Sequence, residues 1–221
     1  QEEAIQAVVS VVKKSRVGLS DPNRPDAVLL FIGPTGVGKT ELAKLLADAV
    51  FGSPKHLKRF DMSEYVEAHS VSRLLGAPPG YQGSDEEGLL SAAVRQSPFS
   101  VLLFDEIEKA HAQVYDILLP VFDEGRTRDS RGREIDFRNC IIVLTSNAGA
   151  ESIAHGGDRA DWMAELRTHF RPEFINRIDE IVPFHPLLAE DIRSILRLEV
   201  NRLRVRLREK RVGIRMYQRA Y

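Results

Sequence analysis

Apolar residues at Ile5, Val8, Val9 and Val12, with polar residues on the reverse face, predict a helix over residues 3–14. The segment Ser20-Asp21-Pro22-Asn23-Arg24-Pro25 breaks it. Ala27-Val28-Leu29-Leu30-Phe31-Ile32 is then an unbroken apolar run of strand length, the pattern of a strand covered on both faces in a parallel sheet. Helical spacing resumes over residues 40–50, with Leu42, Ala43, Leu45, Leu46, Ala49 and Val50 apolar. The rhythm repeats. Residues 101–104 read as a strand before a helix through Val114 and Phe122, and residues 140–145 as another strand. Alternation of this kind predicts an α/β layered fold with a mostly parallel sheet flanked by helices. Residues 126–138 read as a polar hairpin about Asp129-Ser130-Arg131-Gly132 with no core of its own, and residues 76–83 as a Gly- and Pro-rich loop carrying an aromatic. Ile192, Ile195, Leu196, Leu203 and Leu207 predict a helix over residues 189–211, about 30 Å long. Its arginines, Arg193, Arg197, Arg204 and Arg208, form a solvated or interface-facing rim.

Composition narrows the classes. A chain of 221 residues, 43% of them hydrophobic, can bury one sizeable core and carry a smaller appendage. Lys plus Arg total 31 against 32 for Asp plus Glu, so the net charge of -1 offers no bulk attraction to nucleic acid or to an anionic membrane. The apolar runs are too short to span a bilayer. A soluble, unanchored, cytoplasmic protein is expected. Cys140, the only cysteine, precedes the apolar run Ile141-Ile142-Val143-Leu144 and reads as a buried small hydrophobe. The six histidines lack metal-ligand spacing, so no structural zinc is expected.

The candidate chemistry sits at the ends of the predicted strands. Gly33-Pro34-Thr35-Gly36-Val37-Gly38-Lys39-Thr40 matches G-x-x-x-x-G-K-[ST] between a predicted strand and a predicted helix, the context that a phosphate-cradling loop requires. Glycines let the backbone curl around phosphate oxygens, the helix start supplies positive potential, and Lys39 adds a full charge. Thr40 is expected to ligate magnesium. Val101-Leu102-Leu103-Phe104 ends in Asp105-Glu106, two carboxylates at the strand edge where ligands bind in such sheets. Asp105 is expected to hold magnesium, directly or through water, and Glu106 to polarise the water that attacks the γ-phosphate of ATP. Glu108 and Lys109 read as ordinary helix-entry charges.

These residues, together with Asp61-Met62-Ser63-Glu64-Tyr65, Gly76-Ala77-Pro78-Pro79-Gly80-Tyr81, Asp105-Glu106-Ile107-Glu108-Lys109-Ala110-His111 and Phe170-Arg171-Pro172-Glu173-Phe174-Ile175-Asn176-Arg177-Ile178-Asp179-Glu180, resemble the second ATPase module of the Clp family of hexameric unfoldases and disaggregases, within the AAA+ superfamily. The resemblance implies a first-sensor role for Asn147, whose amide would reach the γ-phosphate or the attacking water. It also implies that Arg177 is an arginine finger serving the neighbouring subunit. Arg171 is the runner-up, and an intramolecular bridge from Arg177 to Asp179 or Glu180 is the structural alternative. Gly80-Tyr81-Gln82-Gly83 resembles the family's polypeptide-gripping pore loop, with Gln82 and Ser84 departing from its usual residues, and the hairpin at 126–138 resembles a second pore loop.

The expected organisation is an AAA+ core over residues 1–186 and the start of a small helical lid over 187–221. The chain stops short of the family's Gly-Ala-Arg second sensor and reads as an excerpt of a larger protein. The implied function is a disaggregase or unfoldase using ATP and Mg2+, with a hexamer, unfolded or aggregated clients and a co-chaperone as partners. Residues 148–169 lack the Ile-Gly-Phe or Ile-Gly-Leu tripeptide of protease-coupled relatives, which ranks a Clp-protease unfoldase second. A nucleic-acid motor or clamp loader, supported only by the basic helix, ranks third.

Overall fold

In the computed structural model, which describes residues 1–18, 21–76 and 87–209, strands form at Ala27–Ile32 (β1), Leu57–Asp61 (β2), Ser100–Asp105 (β3), Arg126–Arg128 (β4), Glu134–Asp136 (β5), Cys140–Ser146 (β6) and Glu180–Pro183 (β7). The helices are Glu2–Arg16 (α1), Lys39–Phe51 (α2), Ala68–Leu75 (α3), Leu89–Gln96 (α4), Ala112–Glu124 (α5), Ala150–Ala154 (α6), Arg159–His169 (α7), Pro172–Ile175 (α8) and Ala189–Glu209 (α9). Every residue of β1, β3 and β6 is buried, which explains why their sequences are apolar runs rather than alternating patterns. They form the centre of a five-stranded sheet in the order β2-β3-β6-β1-β7, with every neighbouring pair parallel. The edge strands β2 and β7 are only partly buried.

Register sets what the sheet can do. Ile32 pairs with Ser146, Phe104 with Leu144, and Asp61 with Asp105, so β1, β6, β3 and β2 finish close to one level. Because β6 lies between β1 and β3, whatever follows β6 stands between the loops that follow the other two.

Aromatic packing fixes a second feature. Phe174 on α8 meets Tyr115 edge-on at 4.9 Å and Phe122 at 5.5 Å between centroids, and stacks on Phe170 at 5.8 Å. These contacts seat α8 against α5, so the residues just beyond α8 start from a fixed point. Cys140 is fully buried, its thiol faces the Pro98 carbonyl at 3.3 Å, and burial pushes its pKa up to about 12.

The hairpin at 126–138 departs from expectation. Ile135 and Phe137 are buried in the main core, and the Asp129 side chain is 1% exposed. Asp129 accepts hydrogen bonds from Arg95 Nη2 and Arg133 Nε, both at 2.8 Å, and from the main-chain N–H groups of Arg131 (3.0 Å) and Arg133 (2.8 Å). The hairpin also reaches its neighbours: the Ser130 N–H donates to the Leu75 carbonyl at 3.2 Å, and Arg133 and Arg95 both bond Glu87 Oε1.

The chain divides into two compact units, residues 1–185 and 186–221. The second contributes α9, a 21-residue helix with Glu190 and Asp191 in its first turn, where carboxylates suit the positive end of the helix dipole. No helix among the described residues is long and apolar enough to cross a membrane.

Burial alone would raise the Asp129 pKa, but its bonds from Arg95 and Arg133 outweigh that and hold it down to about 2. A carboxyl depressed in the folded state contributes stability above its unfolded pKa of about 3.9, and that contribution fades as pH falls towards 2. Asp129→Asn is therefore expected to lower stability by about 2 kcal/mol at neutral pH. In denaturant titrations the gap from the parent should narrow progressively below about pH 4.

Candidate functional site

The loop after β1 needs glycine for two different reasons. Gly33 has φ 135°, and a Cβ there would meet the Phe184 carbonyl oxygen at 2.3 Å, so both conformation and space exclude a side chain. Gly38 has φ 104° with open space around it, so only the left-handed backbone demands glycine. Gly38 is the N-cap of α2, and no side chain caps that helix start. Its first N–H groups are thus left to a ligand.

Lys39 is buried at the first position of α2. Its Nζ donates to the carbonyls of Gly33, Pro34 (3.0 Å) and Ser146 (3.2 Å) and to Asn147 Oδ1 (3.0 Å). Burial lowers its pKa, opposed by the charges of Glu108, Asp105 and Glu106 in that order.

Beyond β3 the chain turns sharply. Glu106 has φ 58° and ψ 50°, and is the only non-glycine residue with positive φ among those described. Left-handed backbone at a residue of this kind costs about 1–3 kcal/mol and persists only where surrounding contacts enforce it. Here Thr145 supplies one such contact. Its hydroxyl accepts the Glu106 N–H at 3.0 Å and donates to Asp105 Oδ1, joining both carboxylate residues to β6. Arg59, on β2, holds the other Asp105 oxygen through Nε at 2.8 Å and Nη2 at 2.7 Å. Neither Arg59 nor Thr145 was expected at the site from sequence.

Glu108 and Lys109 are not mere helix-entry charges. Lys109 Nζ donates to Glu106 Oε2 at 2.6 Å, and Glu108 Oε1 accepts the main-chain N–H of Asn147 at 3.0 Å.

These groups surround one cavity of about 460 Å³, lined by Thr35, Gly36, Gly38, Lys39 and Thr40 from the loop and α2, by Arg59 and Asp61 from β2, and by Asp105, Glu106, Thr145 and Asn147. The sheet thus brings together the loop, the carboxylate pair and Asn147 expected from sequence. Of the loop, Pro34 contributes its carbonyl to Lys39, and Val37 is buried. The oxygen donors Thr40 and Asp105 fit a hard cation such as magnesium, which ordinarily binds one or two protein oxygens and completes its shell with water and phosphate. Among the described residues no group of three or more His, Cys, Asp or Glu could hold a metal by itself.

Arg177 lies apart from the lining of this cavity. Its Nε bonds Asp123 Oδ2 at 2.6 Å and its Nη1 the Glu173 carbonyl at 2.7 Å. The intramolecular bridge is therefore to Asp123, while Asp179 accepts the Val28 N–H at 2.7 Å and pairs with Arg24. Arg171 is more exposed, with only a 3.9 Å approach to Glu173. A larger concavity of about 610 Å³ adjoins Asp123, Glu124 and Arg126. It lacks a glycine loop and a buried lysine. Gly80, Tyr81, Gln82 and Gly83 lie outside the described residues.

Residues 24–181 match the family described as AAA domain (Cdc48 subfamily). The chain is 54% identical to the chaperone protein ClpB of Nitratidesulfovibrio vulgaris over 98% of its length, 53% identical to that of Pseudomonas putida over 97%, and 51% identical to that of Meiothermus ruber over 100%. It covers 26%, 26% and 27% of those relatives, so it spans about a quarter of their length. With a parallel five-stranded sheet and a phosphate-loop geometry within the matched residues, the chain belongs to the AAA domain family.

Proposed function

We propose that the chain is an ATP-hydrolysing motor module of a protein disaggregase or unfoldase, working in a cytoplasmic hexamer on unfolded or aggregated polypeptide. The observation that carries the hydrolytic reading is the cavity in which Lys39, Thr40, Asp105, Glu106 and Asn147 converge at one sheet edge. The polypeptide reading draws on similarity to relatives named as ClpB chaperones. A co-chaperone is a further expected partner; nucleic acid and membrane are not.

Phosphates entering the cavity would meet the uncapped start of α2 and take over the Lys39 ammonium from the carbonyls that hold it. The side-chain N–H groups of Asn147 can then donate to a γ-phosphate oxygen or to the attacking water. Glu106, turned towards the cavity by its left-handed backbone, accepts a hydrogen bond from that water once Lys109 releases it. Magnesium held by Thr40 and Asp105 would neutralise charge on the phosphate oxygens. Arg177 acts on the neighbouring subunit's nucleotide, which fits its place outside the cavity lining, and must leave Asp123 to do so. Tyr81, flanked by Gly80 and Gly83, contacts the moving polypeptide.

Glu106→Gln keeps the shape of the site and removes the base. ATP binding should persist while kcat falls by about 10²-fold or more, measured by a fluorescent-nucleotide titration and a phosphate-release assay. Normal turnover would remove Glu106 from its role.

Tyr81→Ala tests the polypeptide reading separately. In the full-length protein it is expected to abolish the stimulation of ATP hydrolysis by an unfolded polypeptide. Unchanged stimulation would contradict threading while leaving the ATPase assignment in place.

A further inference from the structure

Asn147 is the first residue past β6, whose paired register with β1 ends at Ser146. Its main chain is nonetheless held on both sides. The N–H donates to Glu108 Oε1 at 3.0 Å, and the carbonyl accepts from the Ala150 N–H at 3.1 Å. With both peptide groups tied, the direction in which the side chain leaves the backbone is set, and Oδ1 meets Lys39 Nζ at 3.0 Å. We infer that Glu108 is a positioning residue for Asn147, fixing the end of β6 so that the amide side chain enters the nucleotide cavity at a constant angle. The inference rests on the ATPase reading of that cavity.

The turn that carries Glu108 is itself locked. Residues Ile107–Lys109 form a single 3-10 turn directly after Glu106. Ile107 is fully buried, and its carbonyl accepts a hydrogen bond from the Tyr115 hydroxyl at 2.6 Å. Lys109 reaches back to Glu106 while Glu108 reaches across to Asn147. One turn therefore governs the position of the carboxylate that meets the water and of the amide beside it.

A carboxylate here is not explained by packing alone. Glu108 Oε2 is buried without a hydrogen-bond partner, an arrangement that costs stability in an ionised group. Its charge is the largest carboxylate influence on the buried Lys39, and burial, joined by this charge, pushes the Tyr115 phenol's pKa up. The hydrogen bond to Asn147 needs only an acceptor. A glutamine amide could supply one.

That difference gives the test, made in the full-length protein by measuring kcat, the affinity for a fluorescent ADP analogue, and melting temperature. Glu108→Ala should lower kcat roughly tenfold, because the part-buried Asn147 N–H loses its acceptor and the amide side chain its fixed direction, with nucleotide affinity little changed. Glu108→Gln should restore kcat to within about threefold of the parent. In an Asn147→Ala background, which itself lowers kcat, Glu108→Ala should add nothing further, because its effect runs through that side chain. Where Glu108→Ala does not fold, Glu108→Asp, which withdraws the carboxylate by one methylene, carries the same expectation. Equal losses in both backgrounds, or a Glu108→Gln variant as impaired as Glu108→Ala, would overturn the positioning role while leaving Asn147 in the site. Full kcat in Asn147→Ala alone would instead overturn the reading of Asn147 on which this one stands.

Discussion

Parallel hydrogen bonding holds β1, β6 and β3 nearly level at their carboxyl ends, and the polar groups of the site hang from that edge. Parallel strands need long crossovers, which carry the chain over the faces of the sheet and bury its central strands completely. The same burial that makes the strands apolar makes their ends stiff. A glycine loop, a left-handed glutamate and an asparagine therefore share a cavity without any of them being on a long free loop. A one-residue slip of β6 would move Thr145 away from both Asp105 and Glu106.

Electrostatic balance around Lys39 follows from this geometry. The ammonium is buried, which disfavours its charge, while Glu108, Asp105 and Glu106 favour it. Asp105 is in turn held by Arg59 on β2, so one carboxylate both pairs with that guanidinium and favours the Lys39 ammonium. Entry of a polyphosphate would add negative charge to a site whose cations already have partners. Its binding energy must include the exchange of those partners, and the carbonyls around Lys39 are the ones it can replace without leaving a buried charge alone.

The central strands were legible because full burial writes itself as unbroken apolar runs; residues 27–32 coincide with β1 to the residue. β2 was hidden, since Lys58 and Arg59 interrupt the apolar signal of a five-residue edge strand, and β7 is only four residues long. The loop and the carboxylate pair were readable because each is contiguous in sequence. Arg59 and Thr145 were not, because their roles depend on which strands are neighbours in space. Asn147 and Arg177 became candidates only through family resemblance. In the hairpin, Ile135 and Phe137 alternate with Glu134, Asp136 and Arg138, a two-residue period that marks a buried face but is short enough to be lost among the charges.

The Asp129 cluster has a mechanical consequence. Leu75 and Glu87 border the segment that contains Tyr81, and both are bonded to the β4–β5 hairpin. Tension on that segment would reach two anchor points on a single hairpin whose aspartate is clamped by two arginines. The load would be shared between a main-chain bond at one end and ion pairs at the other. Yielding would then require pulling Glu87 from part-exposed arginines that a buried aspartate holds in place, a stiffer and shorter-ranged response than the stretching of a free loop.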